Sequence, residues 1–167
     1  MTIQHFIAPA TLPFPNTCGI PAQASLSVLS YNVLLPNSQD GWWNYKMYSP
    51  PLLSDEEKHY STWEYRQELL KQEIRTINAD VVCFQEVSPQ SFEQDFLFMK
   101  EELGYHGCEM FKRGRFRPAT FWKTDKCTLV GSPVHKDRTL LTVFQLNNDN
   151  CAIIENFKQM EKIIKNL

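Results

Sequence analysis

The sequence predicts a single α/β domain in which a mixed β-sheet is flanked by helices. Two apolar runs of strand length, 26–33 and 80–87, are separated by a segment with helical periodicity, and a second helical segment follows. The 167 residues are 43% hydrophobic and 22% charged, which is typical of one globular domain. The net charge of −2 excludes strong overall attraction to nucleic acid but allows a local basic patch. No apolar run approaches the roughly 18 residues of a membrane-spanning helix, so no membrane contact is expected.

Residues 1–24 are predicted to form a flexible, proline-rich leader. They contain four prolines and neither lysine nor arginine, so they lack the charged region of a secretory signal and the basic face of a mitochondrial presequence. We therefore expect a cytoplasmic protein, with the nucleus as the alternative. Five widely spaced cysteines occur without a C-x-x-C pair, which favours reduced thiols over a disulfide framework or a zinc site.

The domain is expected to span residues 25–146 and to begin with the strand over 26–33. A long connection over 36–61 contains an aromatic cluster that either packs the loop down or stacks on a nucleobase: Trp42, Trp43, Tyr45 and Tyr48. A helix then begins after Thr62, which is a good N-cap, and ends near Asn78. Its apolar face consists of Trp63, Leu70, Ile74 and Ile77.

A buried strand is predicted over 80–87, because this apolar run lies between turn residues. The next helix is predicted to start at the N-cap Ser88, with Pro89 as its first residue, and to end at Gly104. Four further segments are predicted to be strands of a meander on the same sheet: 105–111, 119–123, 127–134 and 139–146.

Residues 147–167 are predicted to form a separate tail. Four polar residues at 147–150 break the preceding strand and provide an N-cap. Apolar residues then recur at helical spacing, which predicts an amphipathic helix over 151–166. Its apolar face consists of Ile153, Phe157, Met160 and Ile164.

Polar residues at the carboxyl ends of two buried strands mark the candidate site. Asn32 ends the first strand and Glu86 lies at the end of the second, and α/β folds place their sites at such strand ends. If the two strands are neighbours, the amide and the carboxylate face the same crevice. Taken alone, Glu86 also fits a solvated strand end and Asn32 a turn residue. No histidine has a partner at metal-ligand spacing, and no phosphate-binding glycine loop occurs.

Several motifs in order resemble the endonuclease/exonuclease/phosphatase superfamily. They are S-Y-N-V-L at 30–34, W-x-x-R at 63–66, A-D-V-V-C-F-Q-E-V at 79–87 and A-T-F-W-K-T-D-K-C-T-L-V at 119–130. Within the superfamily the sequence looks most like the deadenylase branch with nocturnin and the Angel proteins, over about residues 25–146. The resemblance implies a partial four-layer α/β/β/α sandwich, of which this chain supplies about one mixed sheet with its flanking helices.

The resemblance also implies Mg²⁺-dependent hydrolysis of phosphodiester or phosphate bonds, with Mn²⁺ as the alternative metal. Under this interpretation Glu86 ligates the metal, and Asn32 orients either the metal shell or the scissile phosphate, so both are candidate catalytic and metal-site residues. Arg66 is a structural cation or a substrate contact. The implied substrate is RNA, of a poly(A)-like kind shortened from 3′ to 5′, or a nucleotide phosphate.

A basic segment supplies candidate contacts to a nucleic-acid backbone. Phe111–Arg117 contains four cations and two aromatic residues, with Arg113 and Arg115 as the predicted substrate-binding residues. The alternative interpretation is an exposed, charged hairpin loop without a ligand.

Family motifs of the second half of the domain do not occur in this sequence. They are T-H, G-D-F-N and S-D-H, and the resemblance implies that their Asp and His flank the phosphate. We therefore expect a C-terminally truncated member with little or no turnover alone, because each missing group contributes on the order of 10²–10⁴ in rate. The missing sheet is expected to leave an apolar face that a protein partner covers. The alternative is a non-catalytic RNA- or protein-binding module with the same fold.

Overall fold

The architecture was taken from a computed structural model, which describes residues 26–34, 54, 59–110, 112–136 and 138–146, together with the backbone of 151–157. The predicted leader over 1–24 and the aromatic cluster over 42–48 lie outside the described residues. Within them, no helix has the length and apolar character needed to cross a bilayer.

Eight strands of the described chain form two sheets. The first sheet has the order β1-β2-β4-β3, in which β1 is parallel to β2 and β4 is antiparallel to both of its neighbours. Its strands are β1 (Val28–Asn32), β2 (Val81–Val87), β3 (Gly107–Met110) and β4 (Arg117–Trp122). In the second sheet, β7 pairs antiparallel with each of the other three strands. These strands are β5 (Cys127–Leu129), β6 (Val134–Lys136), β7 (Thr139–Leu146) and β8 (Cys151–Phe157).

The predicted single-sheet meander is therefore wrong, because the strands after β4 leave the first sheet. The strand predicted over 127–134 ends at Leu129, and a separate strand, β6, begins at Val134. Gly131 adopts a positive φ of 70° between them, and Pro133 cannot donate to a ladder. The second sheet covers the face of the first sheet that was expected to be open. Helices, first sheet and second sheet thus form three successive layers of the predicted sandwich.

The predicted C-terminal helix is also wrong where the structure describes it. Cys151–Phe157 is a strand that pairs with β7 from Gln145↔Cys151 to Thr139↔Phe157. The long β7 offers a complete ladder of hydrogen-bonding partners, and the local sequence C-A-I-I-E-N-F is rich in residues that favour strands. A short apolar pattern does not distinguish helix from strand by itself, so pairing with β7 determines the outcome.

The first helix, α1 (Trp63–Ile77), confirms the prediction at both ends. The Thr62 hydroxyl accepts a hydrogen bond from the Tyr65 amide, and Asn78 ends the helix in the left-handed conformation with φ 53°. A 3₁₀ turn, His59–Ser61, precedes the helix. The helix packs on the first sheet through its buried residues Trp63, Leu70 and Ile74.

The second predicted helix is divided into two short helices, α2 (Phe92–Asp95) and α3 (Leu97–Glu101). It starts after Ser91 rather than Ser88, and Phe96 interrupts it with φ −119° and ψ 15°. The interruption allows both Phe96 and Phe98 to enter the core, where they are almost fully buried. Gly104 follows with φ 77°, as predicted.

Two cores lie on opposite faces of β2. Val82, Phe84 and Val87 belong to the core beneath the helices, whereas Val81 and Cys83 pack between the two sheets against Trp122 and Phe144. Because β2 is covered on both faces, all of its residues are buried, which explains the apolar run Val81–Phe84.

Candidate functional site at the carboxyl edge of the first sheet

The first sheet brings the two principal candidate residues to one edge. Because β1 and β2 run parallel, with Asn32 opposite Gln85, both strands end at the same side of the sheet. The antiparallel β4 begins there, with Arg117 opposite Val87. We call this region the carboxyl edge; it comprises residues 32–34, 85–88 and 112–117.

A β-bulge determines where the Glu86 side chain lies. Phe84 pairs with Ala119 and Val87 with Arg117, so Gln85 and Glu86 together face the single residue Pro118. Phe84 and Val87 both enter the core beneath the helices, although strict alternation would place them on opposite faces. The extra residue therefore assigns Gln85 and Glu86 to the face that looks toward the second sheet.

Asn32 lies on this same face. Leu29, Tyr31 and Val33 pack in the core beneath the helices, so the alternating residues of β1 face the second sheet. Asn32 and Glu86 therefore lie at the same edge and on the same face of the sheet.

Glu86 is buried and adopts an unusual backbone conformation. Its φ is 61°, in the left-handed region that non-glycine residues adopt only at a cost, and only 8% of the residue is exposed. Such local strain is characteristic of sites where a side chain must be directed to one place. Asn32, at the end of the adjacent strand, is exposed. The carboxyl edge therefore combines a buried carboxylate with a solvent-accessible amide.

The amide of Asn32 already makes one hydrogen bond. Its Oδ1 atom accepts from the backbone N–H of Leu34 at 3.0 Å, which forms an Asx turn at the end of β1. Leu34 itself has φ 55°. This bond takes one of the two lone pairs of Oδ1, and the two N–H groups of Nδ2 are the donors that Asn32 can offer to an anionic ligand.

Arg66 also reaches the carboxyl edge, where it contacts the backbone. The Nη2 atom donates to the carbonyl oxygen of Val33 at 2.5 Å, which links α1 to the residue that follows β1. Of the two roles expected for Arg66, this contact favours the structural one.

Gln85 lies at the predicted strand end beside Glu86, but no role was predicted for it from the sequence. It is buried, and its Nε2 atom donates to the Ser30 hydroxyl and to the Cys83 carbonyl, both at 3.0 Å. The bond to Ser30 ties β1 to β2 at the bulge, and the bond to Cys83 lies within β2. Pro118 is the sequence signal that could have indicated the bulge, because proline inside a sheet is found at edges and bulges.

The basic segment forms an ordered loop at the same edge. Gly114 has φ 87°, the guanidinium of Arg117 packs directly over it, and Arg117 Nε donates to the Arg113 carbonyl at 2.6 Å. The side chains of Arg113 and Arg115 are exposed. The loop thus presents two cations beside the Asn32–Glu86 pair.

A sequence model of the Endonuclease/Exonuclease/phosphatase family matches residues 29–157 of the chain. The chain belongs to this family. The match contains both sheets up to β8, all three helices and the whole carboxyl edge, and it extends beyond the limit near residue 146 that the motifs indicated.

Relatives within the Endonuclease/Exonuclease/phosphatase family confirm the predicted branch. The chain is 28% identical over 162 residues to the CCR4-Not complex 3′-5′-exoribonuclease subunit Ccr4 of Candida albicans, covering 82% of this chain and 19% of that protein. It is 30% identical over 133 residues to protein angel homolog 2 of Danio rerio, covering 77% and 21%. The chain therefore spans about a fifth of these relatives.

Solved structures of the same fold give a consistent result. The crystal structure of ANGEL2, a 2′,3′-cyclic phosphatase, superposes with a TM-score of 0.60 at 24% identity, covering 78% of this chain and 39% of that one. A family member from Bacteroides vulgatus superposes with a TM-score of 0.53 at 14% identity, covering 77% and 50%. The fold predicted for the chain is thus confirmed.

The donor set at the carboxyl edge is compatible with a hard divalent cation. Within the described residues, no group of three or more His, Cys, Asp and Glu side chains could hold a metal by itself. Mg²⁺ does not require such a cage, since it keeps several waters and binds through one or two carboxylates together with substrate phosphates. Glu86 fits this requirement, because it is a single, nearly buried carboxylate at the carboxyl edge.

Proposed function

We propose that the carboxyl edge is part of a metal-dependent phosphodiesterase centre of the nuclease type. Glu86 ligates the divalent metal ion, and Asn32 donates to an oxygen of the substrate phosphate. The observation that carries this proposal is the β-bulge, which directs the Glu86 carboxylate to the face of the sheet that Asn32 occupies. Without the bulge, alternation would direct Glu86 into the core beneath the helices.

Mg²⁺ is the proposed metal, with Mn²⁺ as the alternative. When bound, the ion supplies charge stabilisation to a phosphoryl oxygen. Glu86 holds it with one carboxylate, which leaves its other positions for water and phosphate. The low exposure of Glu86 supports this role, because a carboxylate shielded from solvent attracts a cation more strongly than an exposed one.

The proposed substrate is RNA shortened from its 3′ end, with a nucleotide phosphate as the alternative. One relative is named as a 3′-5′-exoribonuclease, and the structure of another is described as a 2′,3′-cyclic phosphatase. Both descriptions concern a phosphate ester at a ribose. Arg113 and Arg115 would contact the backbone phosphates, since they are exposed on an ordered loop at the same edge.

Turnover by this chain alone is proposed to be low. The chain spans about a fifth of its curated relatives, and the family motifs with the additional Asp and His do not occur in its sequence. A binding module without catalysis is the second candidate function. The exposed arginine pair favours it, because phosphate contacts of this kind give affinity without requiring chemistry.

The metal site is tested by titrating the full chain with Mn²⁺ and measuring the bound ion by electron paramagnetic resonance. We expect Glu86→Gln to weaken Mn²⁺ binding at least about tenfold, because it removes the ligating charge. Glu101→Gln is the matched control, since Glu101 is exposed on α3 and its loss should leave affinity unchanged. Equal affinities for the wild type and Glu86→Gln would exclude Glu86 as the ligand.

The two candidate functions are separated with a fluorescent oligoadenylate in the presence of Mg²⁺. Shortening that is lost in Glu86→Gln supports a catalytic centre in this chain. Binding without shortening supports the binding module, and Arg113→Ala and Arg115→Ala should then each reduce the salt-dependence slope by about 0.7. The charge-matched control Arg75→Ala, at the opposite end of α1, should not change the slope. Absence of both binding and shortening would contradict both functions.

A further inference from the structure

The turn that carries Asn32 is held by hydrogen bonds at three consecutive residues. The backbone N–H of Val33 donates to the Gln85 carbonyl at 3.0 Å, and the side chain of Val33 is buried. The N–H of Leu34 donates to Asn32 Oδ1, also at 3.0 Å. The Val33 carbonyl accepts a hydrogen bond from Arg66 Nη2.

Arg66 is well placed to fix this carbonyl. Its backbone N–H makes the first hydrogen bond of α1, to the Thr62 carbonyl at 3.1 Å, so it lies in the ordered first turns of the helix. The helix is anchored on the sheet by the buried residues Trp63, Leu70 and Ile74. A hydrogen bond from a guanidinium to a carbonyl is stronger than one between neutral groups, so it resists rotation of the Val33–Leu34 peptide.

We propose that Arg66 is a positioning residue for Asn32, an inference that rests on the proposed function of the carboxyl edge. Arg66 holds the Val33 carbonyl, which keeps the Leu34 N–H directed at Asn32 Oδ1. The bond from Leu34 takes one of the two lone pairs of Oδ1 and fixes the orientation of the amide. The Nδ2 atom then donates to a phosphate oxygen, since an amide nitrogen does not ligate a cation. Of the two roles that the family resemblance allows Asn32, this assigns the contact with phosphate and leaves the metal to Glu86.

The competing explanation is that Arg66 contacts the substrate phosphate directly. The two roles predict different results for the protein without ligand. A positioning residue changes the surroundings of the Asn32 amide before any ligand is added, whereas a direct contact changes only the affinity. The two roles also predict different losses of binding free energy in the double variant. If Arg66 acts through Asn32, the losses from the two single variants do not add, whereas independent contacts give additive losses.

The experiment is a ¹⁵N–¹H correlation spectrum of the full chain, in which the side-chain NH₂ signals of Asn32 are identified by their loss in Asn32→Ala. We expect Arg66→Ala to shift these signals and the Leu34 amide in the absence of ligand. Arg66→Lys should restore them, since an ammonium also donates to a carbonyl. The exposed Arg75→Ala on the same helix should leave them unchanged. Should Arg66→Ala not fold, Arg66→Gln replaces it, because its shorter amide does not supply the charge.

Titration with adenosine 5′-monophosphate and Mg²⁺ completes the test. Arg66→Ala and Asn32→Ala should each weaken binding about tenfold, the size expected for one hydrogen bond to a charged group. The double variant should be no weaker than either single variant. Additive losses, or an unshifted Asn32 signal in Arg66→Ala, would overturn the positioning role. If the nucleotide does not bind the wild type, the proposed function fails, while the spectrum without ligand still decides whether Arg66 holds the turn.

Discussion

The Nε2 atom of His135 lies 2.8 Å from the Oε1 atom of Glu109, and this contact joins the two sheets. Glu109 is on β3, an outer strand of the first sheet, and His135 is on β6 of the second. The strands predicted over 127–134 and 139–146 leave His135 between them, whereas the structure places it in the strand β6. Both side chains are partly shielded, with 19% and 28% of their surfaces exposed.

This contact predicts a measurable coupling between the sheets. In a double-mutant cycle of His135→Ala and Glu109→Ala, we expect a coupling free energy of about 0.5–1 kcal/mol from urea unfolding at pH 7, because the pair is partly screened by solvent. The exposed pair Asp125–Lys126 is the control, and its coupling should be close to zero. Equal coupling in both pairs would show that the inter-sheet contact does not stabilise the fold.

The core between the sheets has no room for a side chain at Gly107. Gly107 lies opposite Trp122 in the β3–β4 ladder, and a Cβ atom there would overlap the indole ring. That ring packs edge-on against Phe144 of the second sheet, with 5.1 Å between centroids. We expect Gly107→Ala to lower the free energy of unfolding by about 2–3 kcal/mol, since the indole must move out of a packed core.

Gly104→Ala is the matched comparison for Gly107. Gly104 has open space around it, so its substitution costs only the strain of φ 77°, about 1 kcal/mol. Urea unfolding measures both changes, and the near-ultraviolet circular dichroism of Trp122 should change only in Gly107→Ala. A larger loss of stability in Gly104→Ala would contradict the clash.

Local signals explain which parts of the fold were predicted from the sequence. The limits of α1 follow from the hydroxyl of Thr62 and the left-handed Asn78, both of which act within one helical turn. The strand β7 was predicted at its observed limits, because a run rich in apolar and β-branched residues lies between turn residues. The position of Asn32 and Glu86 at one edge of the sheet followed from two strand ends and one parallel pairing, whereas the bulge that brings them to one face was not predicted.

Long-range pairing explains the parts that were missed. Alternation indicates a strand but not the sheet to which it belongs, so the transfer of β5–β7 to the second sheet was not predicted. The strand Cys151–Phe157 forms because β7 offers it a partner, which no short pattern records. The left-handed conformation of Glu86 was also not predictable, because glutamate carries no signal for it.

The strain at Glu86 predicts a conflict between stability and function. In the absence of metal, Glu86→Gly should raise the free energy of unfolding by about 1 kcal/mol, because glycine adopts φ 61° without steric cost and leaves no carboxylate to bury. The same substitution in α3, Glu101→Gly, should lower it by about 1 kcal/mol, since glycine disfavours helix. Thermal unfolding in a chelating buffer measures both. A loss of stability in Glu86→Gly would show that the contacts of the carboxylate outweigh the strain.

The buried thiol of Cys83 predicts a loss of stability at alkaline pH. Burial between the sheets raises the pKa of Cys83 from 9.0 to about 12, and the nearby Thr120 hydroxyl offsets this only in part. Because the pKa is higher in the folded state than in the unfolded state, the folded protein holds the proton more tightly. Its contribution to stability is therefore complete below about pH 9 and is lost as the pH rises toward 12.

The free energy of unfolding of the wild type should accordingly fall between pH 9 and pH 11, and Cys83→Ala should reduce the steepness of the fall by up to about 1.4 kcal/mol per pH unit. Steepness is compared rather than stability itself, since removing the side chain also leaves a small cavity. Val82→Ala, at the adjacent buried position of β2, is the control, because it loosens the core without removing a titrating group. Urea unfolding at a series of pH values measures all three proteins. An unchanged slope in Cys83→Ala would mean that the thiol ionises as readily in the folded chain as in the unfolded one.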